Sequence, residues 1–276
     1  MLKVIDYNVL SGRDRLLENF FEDNSSNFGI IIDSMGIESM KRDSVRNYRN
    51  SYRIISNFSS RIAVLKSVPE IRKIFPKKEG ALVSFFDRER TATIVEYCNA
   101  MLHNWHRDNE RVIAQRQMVA REFMQKLEAV ADSEFRNAIK LMEGIWKERR
   151  LKIQRPDDPL SQEELQIATI AVTHLAMADF KRVFPDSPLP DQEEDFLSWM
   201  PARYSVALQA LTIHWLRNRG IESATPATLR NDSMDSFYVT FGSYCDGVLS
   251  ADNRLQDISR ISASILADGF GVKPNS

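Results

Sequence analysis

Five acidic residues are spaced so that they could act on one substrate: Asp6, Glu38, Asp232, Asp235 and Asp252. Asp6 ends the short apolar run Leu2-Lys3-Val4-Ile5, and Asp252 follows Gly247-Val248-Leu249-Ser250-Ala251. In an open parallel sheet, the ends of such strands line the crevice where ligands bind. Asp232 and Asp235 lie one helical turn apart at an expected helix start, so both point to one face, and that helix leads into the strand before Asp252. Glu38 follows a second apolar run, Phe28-Gly29-Ile30-Ile31-Ile32-Asp33, by one short turn. Carboxylates converging on one crevice repel each other unless they are protonated or met by cations. Donors that are all oxygen suit Mg²⁺ or Mn²⁺ better than zinc. Such a site supports phosphodiester hydrolysis, one ion activating water and the other steadying the leaving oxygen. Each acid also has an ordinary use. Asp232 suits a helix cap, Glu38 suits a solvated helix face, and Asp33, Asp246 and Asp257 read as structural or solvated.

The elements that must hold these acids fall into three zones of the 276-residue chain. Residues 1–79 alternate β-branched runs with helical spacing. Strands are expected at Leu2–Asp6, Phe28–Asp33 and Arg61–Leu65, with Leu16, Leu17, Phe20, Phe21 and then Val45, Tyr48, Tyr52, Ile55 as helix faces between them. Residues 80–225 read as all-α. Glu89 to Arg150 has no proline and one glycine, so it predicts long helix, with Val112, Val119, Phe123, Leu127 and Val130 as a packing stripe. Ser161-Gln162-Glu163-Glu164 is a helix start, and Pro201 to Arg217 a further helix. Residues 226–276 return to α/β: a helix from Asn231-Asp232 to Tyr244, a strand at Gly247–Ser250, and a helix from Arg254 to Leu266. This predicts one α/β domain with a parallel sheet flanked by helices, built from both chain ends, with an all-α insertion.

Two pieces of the sequence resemble PIN-domain nucleases. Val4-Ile5-Asp6-Tyr7-Asn8-Val9-Leu10 looks like that family's opening strand, and Asn231-Asp232-Ser233-Met234-Asp235 through Ser250-Ala251-Asp252 looks like its closing helix and strand. The resemblance covers the two ends of the chain, about half of its length, and leaves the insertion unmatched. It implies a PIN-like sheet and Mg²⁺- or Mn²⁺-dependent cleavage of RNA, less often of structured DNA. Carried over residue by residue, Asp6, Glu38, Asp235 and Asp252 match the catalytic acids, with Asp6, Asp235 and Asp252 on the metal and Asp232 as the alternative to Asp235. Asn8 and Ser250 become supporting groups, Ser250 standing where the family usually has Thr. The Asp235-to-Asp252 spacing is slightly shorter than the family pattern.

A basic stretch adjoins Glu38. Residues 41–79 hold eleven Lys and Arg against three acids, in a chain whose net charge is −1. Arg42, Arg46, Arg49 and Arg53, spaced 4, 3 and 4, share one helical stripe that would grip a phosphate backbone without reading sequence. Residues 151–200 are acidic, ten against four, and suit a basic partner protein or a second copy of the chain. The two cysteines, Cys98 and Cys245, exclude a disulfide framework. Cys98, His103 and His106 do not make a zinc site, His174 and His214 read as core or surface histidines, and no phosphate-binding glycine loop occurs. No apolar run approaches the length needed to span a bilayer and the start is no secretory signal, so a soluble, cytoplasmic protein without membrane contact is expected. The reading is a metal-dependent endoribonuclease, in a toxin or defence setting, restrained by a partner on the insertion. Its alternatives are a non-catalytic nucleic-acid-binding or assembly protein working through that insertion, and a structure-specific DNA nuclease.

Overall fold

Each short apolar run becomes a strand of one sheet. In the computed structural model, which describes residues 1–10, 15–32, 38, 44–76, 81–103, 107–148, 154–156, 158–190, 193–218 and 224–272, β1 is Leu2–Ile5, β2 Phe28–Ile31, β3 Ile62–Val64 and β4 Val248–Leu249. All pair in parallel, in the order β3-β2-β1-β4, with Val4 opposite both Ile30 and Val248. Parallel strands need crossovers, and helices supply them. Between β1 and β2 run α1 (Tyr7–Leu10) and α2 (Leu16–Asp23); α3 (Ser44–Asn57) precedes β3. Because β2 lies on one side of β1 and β4 on the other, the strand order reverses between β1 and β4. In open parallel sheets the carboxyl ends of strands at such a switch point border the ligand-binding crevice.

A parallel sheet is stable when both faces are covered. Val4, Ile30 and Ile32 face one apolar layer, whereas Ile5 and Ile31 face the other, following the two-residue period of a strand. Gly29 is required by this packing, since a Cβ there would stand 2.3 Å from Ile5 Cδ1.

The middle of the chain supplies much of both layers. After α4 (Val68–Arg72) and α5 (Ala81–Phe85), α6 (Arg88–His103) and α7 (Arg107–Val130) continue through a π-helical turn into α8 (Arg136–Glu148). α9 (Gln162–Val183), α10 (Glu193–Leu197) and α11 (Met200–Asn218) follow. Ile139 of α8, Val172 of α9 and Leu211 of α11 share one core with Val4 and Ile30, while Ile94 and Cys98 of α6 lie on the other face with Ile5. The helices of 80–225 therefore share the sheet's cores and are not a separate body.

Of the long helix expected from Glu89 to Arg150, every described residue is helical, with a π-helical turn at Ala131–Phe135 and with residues 104–106 and 149–150 outside those described. Its expected packing stripe is corrected. Val119, Phe123 and Val130 are exposed, and α7 buries Ala120 and Met124 instead. Ser161 does cap α9, with Glu164 completing a capping box. The next expected start is corrected too: α12 runs Pro226–Gly242 with Thr225 as its cap, so Asn231-Asp232 lies inside the helix. Asp252 caps α13, Asn253–Ser264. Among the described residues, no helix is long and apolar enough to cross a membrane.

Candidate functional site

Asp6 directly follows β1, and its backbone N–H donates to Leu249 O of β4 across the switch point at 3.1 Å. Its side chain is 2% exposed. Ser250, one residue past β4, donates its hydroxyl to Asp6 Oδ2 at 2.6 Å, and the Asn8 amide group approaches the same oxygen at 3.3 Å. Ser250 is itself held, its Oγ accepting from Asp252 N at 3.0 Å and its carbonyl from Gln256 Nε2 at 2.7 Å. The two supporting roles given to Asn8 and Ser250 thus correspond to bonds on Asp6.

Glu38 is nearly buried and accepts a hydrogen bond from the hydroxyl of Tyr238, on α12. Asp232, Asp235 and Tyr238 recur at three-residue steps on that helix, so one face carries all three. Tyr238 does not stand out in the sequence, where a helical tyrosine reads as core. The signal available was its position one turn beyond Asp235.

The electrostatics tie these groups together. Burial pushes the Asp6 carboxyl up to about 6, Ser250's hydroxyl pulls it back, and the charge of Glu38 raises it further. Asp235 is held well above the ordinary carboxylate range, first by burial and then by Glu38, Asp6, Asp232 and Asp252. Its carboxylate makes no hydrogen bond or ion pair with any described residue. Tyr238 is raised by burial and by the charges of Glu38, Asp6 and Asp235. Five carboxylates therefore feel one another's charge at the β1/β4 crevice.

They are not equivalent. Asp232, fully buried, is paired with Arg254 of α13 and accepts from Trp215 Nε1 at 2.8 Å, with Arg254 also 5.0 Å from the Trp215 ring centre. Its other oxygen, Oδ1, is buried without a partner among the described residues. Asp252 spends Oδ1 on the N–H groups of Arg254 and Leu255 at 2.8 and 3.4 Å. The structure thus separates Asp232, matched by a guanidinium, from Asp235, matched by nothing among the described residues.

The donor chemistry fits a hard divalent cation: the groups are carboxylate oxygens, and none of the chief influences on Asp6 or Asp235 is a positive charge. As the side chains stand, no group of three or more His, Cys, Asp or Glu among the described residues is arranged to hold a metal ion.

Other expected groups fall elsewhere. Arg42 lies outside the described residues, as do the side chains of Arg46 and Arg49, while Arg53 is exposed on α3. Cys98 is buried in the core and Cys245 half-buried, both as free thiols. His214 is half-buried, its Nδ1 2.5 Å from Asp257, which also pairs with Arg260.

Compared with protein-family models, curated proteins and solved structures, the chain matches none of them.

Proposed function

We propose that this chain is a divalent-cation-dependent endoribonuclease of PIN-like architecture, acting at the crevice beside Asp6. The observation that carries the reading is Asp235, a carboxylate without a bonding partner among the described residues, raised by burial and by four other acids at a topological switch point. Asp6, Glu38 and Asp235 would hold the cation, joined by Asp252 through Oδ2, which accepts from no described residue. When bound, Mg²⁺ or Mn²⁺ would offset the phosphate charge and lower the pKa of the attacking water.

The remaining work belongs to the chain. Ser250 and Asn8 orient Asp6, and Tyr238 orients Glu38. Arg254 neutralises Asp232, which lowers the total negative charge that substrate and cation must meet. By their sequence spacing, Arg53 with Arg42, Arg46 and Arg49 would grip the phosphate backbone.

The test is cleavage of a structured RNA and a DNA of the same shape, with Mn²⁺ or with chelator. Wild-type protein should cut the RNA only with the ion, and Asp6→Asn or Asp235→Asn should lower the rate about 100-fold or more. Mn²⁺ should raise the Tm of wild-type protein and not of these variants. Undiminished cleavage by Asp6→Asn would overturn the assignment, and cutting of the DNA alone would move it to a DNA nuclease.

One observation favours a second reading. Val119, Phe123 and Val130 present an exposed apolar stripe on α7, the kind of surface used in assembly. In a non-catalytic assembly protein, association would depend on α7 and be indifferent to both Mn²⁺ and Asp6→Asn.

A further inference from the structure

A cavity of about 350 Å³ lies at the other end of β4 from Ser250, lined by residues of α11, α12 and α13, the Ser243–Gly247 turn and Val272. Its apolar wall is Val239, Leu266 and Val272, and its polar groups include Arg203 and Ser262. This volume is at the small end of the range for small-molecule sites, about 300–1,000 Å³, enough for one compact ligand.

Two groups on its wall have hydrogen-bonding capacity that no described residue takes up. Ser262 is 2% exposed and its hydroxyl has no hydrogen-bond partner among the described residues. Arg203 is held firmly: Nε donates to Leu197 O at 2.8 Å, Nη1 donates to Ser243 O, and the guanidinium carbon sits 4.4 Å from the centre of the Tyr244 ring. Yet no carboxylate pairs with it among the described residues, and Nη2 donates to none of them. Burial disfavours its charge, and only Tyr244 and Cys245 offset this. Asp246, also on the cavity wall, is exposed and already accepts from Leu2 N at 2.7 Å. A buried hydroxyl without a partner is costly, and a half-buried guanidinium held in place with one N–H edge unused is set to meet an anion.

The geometry points to a binding site for a small anion with an apolar body. A carboxylate or phosphate headgroup accepts from Arg203 Nη2 and Ser262 Oγ, and a short hydrocarbon portion lies against Val239, Leu266 and Val272. This site stands independently of the acidic crevice, because none of its lining residues is among the carboxylates at Asp6.

Calorimetric titration with hexanoate, hexyl phosphate and hexylamine tests it. Wild-type protein should bind at least one anion and not the amine, and the tighter anion identifies the headgroup. Arg203→Gln should weaken that binding tenfold or more. Because Arg203 also holds two carbonyls, a second variant keeps the test decisive. Ala263→Phe, at an exposed position on the rim, should block the cavity and abolish binding with Tm unchanged. The site is overturned if neither anion binds, if hexylamine binds as tightly, or if either folded variant keeps wild-type affinity.

Discussion

Asp6 is a buried acid whose folded pKa, about 6, lies above its ordinary value of 3.8, and that direction sets a pH dependence. The native state binds the proton more tightly than the unfolded chain, so the stabilising contribution is complete below about pH 4 and lost as pH rises through 6. At neutral pH without divalent ions, the ionised carboxylate costs the fold about 3 kcal/mol. Asp6→Asn keeps the shape and an acceptor for Ser250 while removing the charge. Chelated Asp6→Asn should therefore be more stable than wild type at pH 7.5, with the gap closing by pH 4, as read by urea unfolding across that range. A variant less stable at both pH values would mean that Asp6 is simply a structural hydrogen-bond acceptor. Asp6 and Asp252 were legible as strand-end acids because their positions follow from local apolar runs. The distinction between Asp232 and Asp235 was not. It depends on Arg254 of α13 and on Trp215 of α11, contacts between separate helices that no local spacing encodes.

At the scale of elements, the site exists because α12 lies close to β4. Gly242, the last residue of α12, makes that approach possible: a Cβ there would stand 2.6 Å from Val248 Cγ2 and 3.2 Å from the Gly247 carbonyl carbon. The backbone atom cannot yield as a flexible side chain would, so Gly242→Ala should push the helix from the strand. We expect a loss of about 1–3 kcal/mol, measured by denaturant midpoint, together with weaker Mn²⁺ stabilisation because Asp235 and Tyr238 ride on the displaced helix. Stability equal to wild type would show that the strand absorbs the methyl group without moving α12. All four strands were readable as short β-branched runs between turn signals. The start of α12 was not, because Asn-Asp is a favourable capping pair wherever it occurs, and Thr225-Pro226, more than a turn earlier, takes the cap instead. The α7 stripe misleads for the opposite reason. Helical periodicity locates an apolar face without stating whether the fold has anything to place against it.

Across the whole molecule, the central helices that composition set apart prove to be covering layers of a small sheet, and a buried ion pair fastens the residues just before α9 to them. Glu164 and Arg217 have side chains that are each 1% exposed and meet in a two-pronged contact, Nη2 to Oε2 at 2.8 Å and Nε to Oε1 at 3.1 Å. Arg217 also donates to the carbonyls of Asp158 and Pro159 at 2.7 and 3.2 Å, and Glu164 closes the capping box of α9 by accepting from Ser161 N at 2.7 Å. α9, α11 and the proline-containing loop before α9 thus converge on one buried charge pair. Neither charge can reach water if its partner is removed, so Arg217→Met should cost about 3–5 kcal/mol. Removing the stranded charge as well, with Glu164→Gln in the same chain, should restore part of that loss. Double-mutant-cycle unfolding measures the coupling. Additive losses would place the cost in the abandoned carbonyls of the loop rather than in the carboxylate. The acidic crevice inverts this arrangement: Glu164 has a fixed counter-charge inside the fold, while Asp235 has none among the described residues. That contrast, one deeply buried acid fully neutralised and another raised by burial and by its neighbours, is what the proposed cation-dependent reading requires of the crevice.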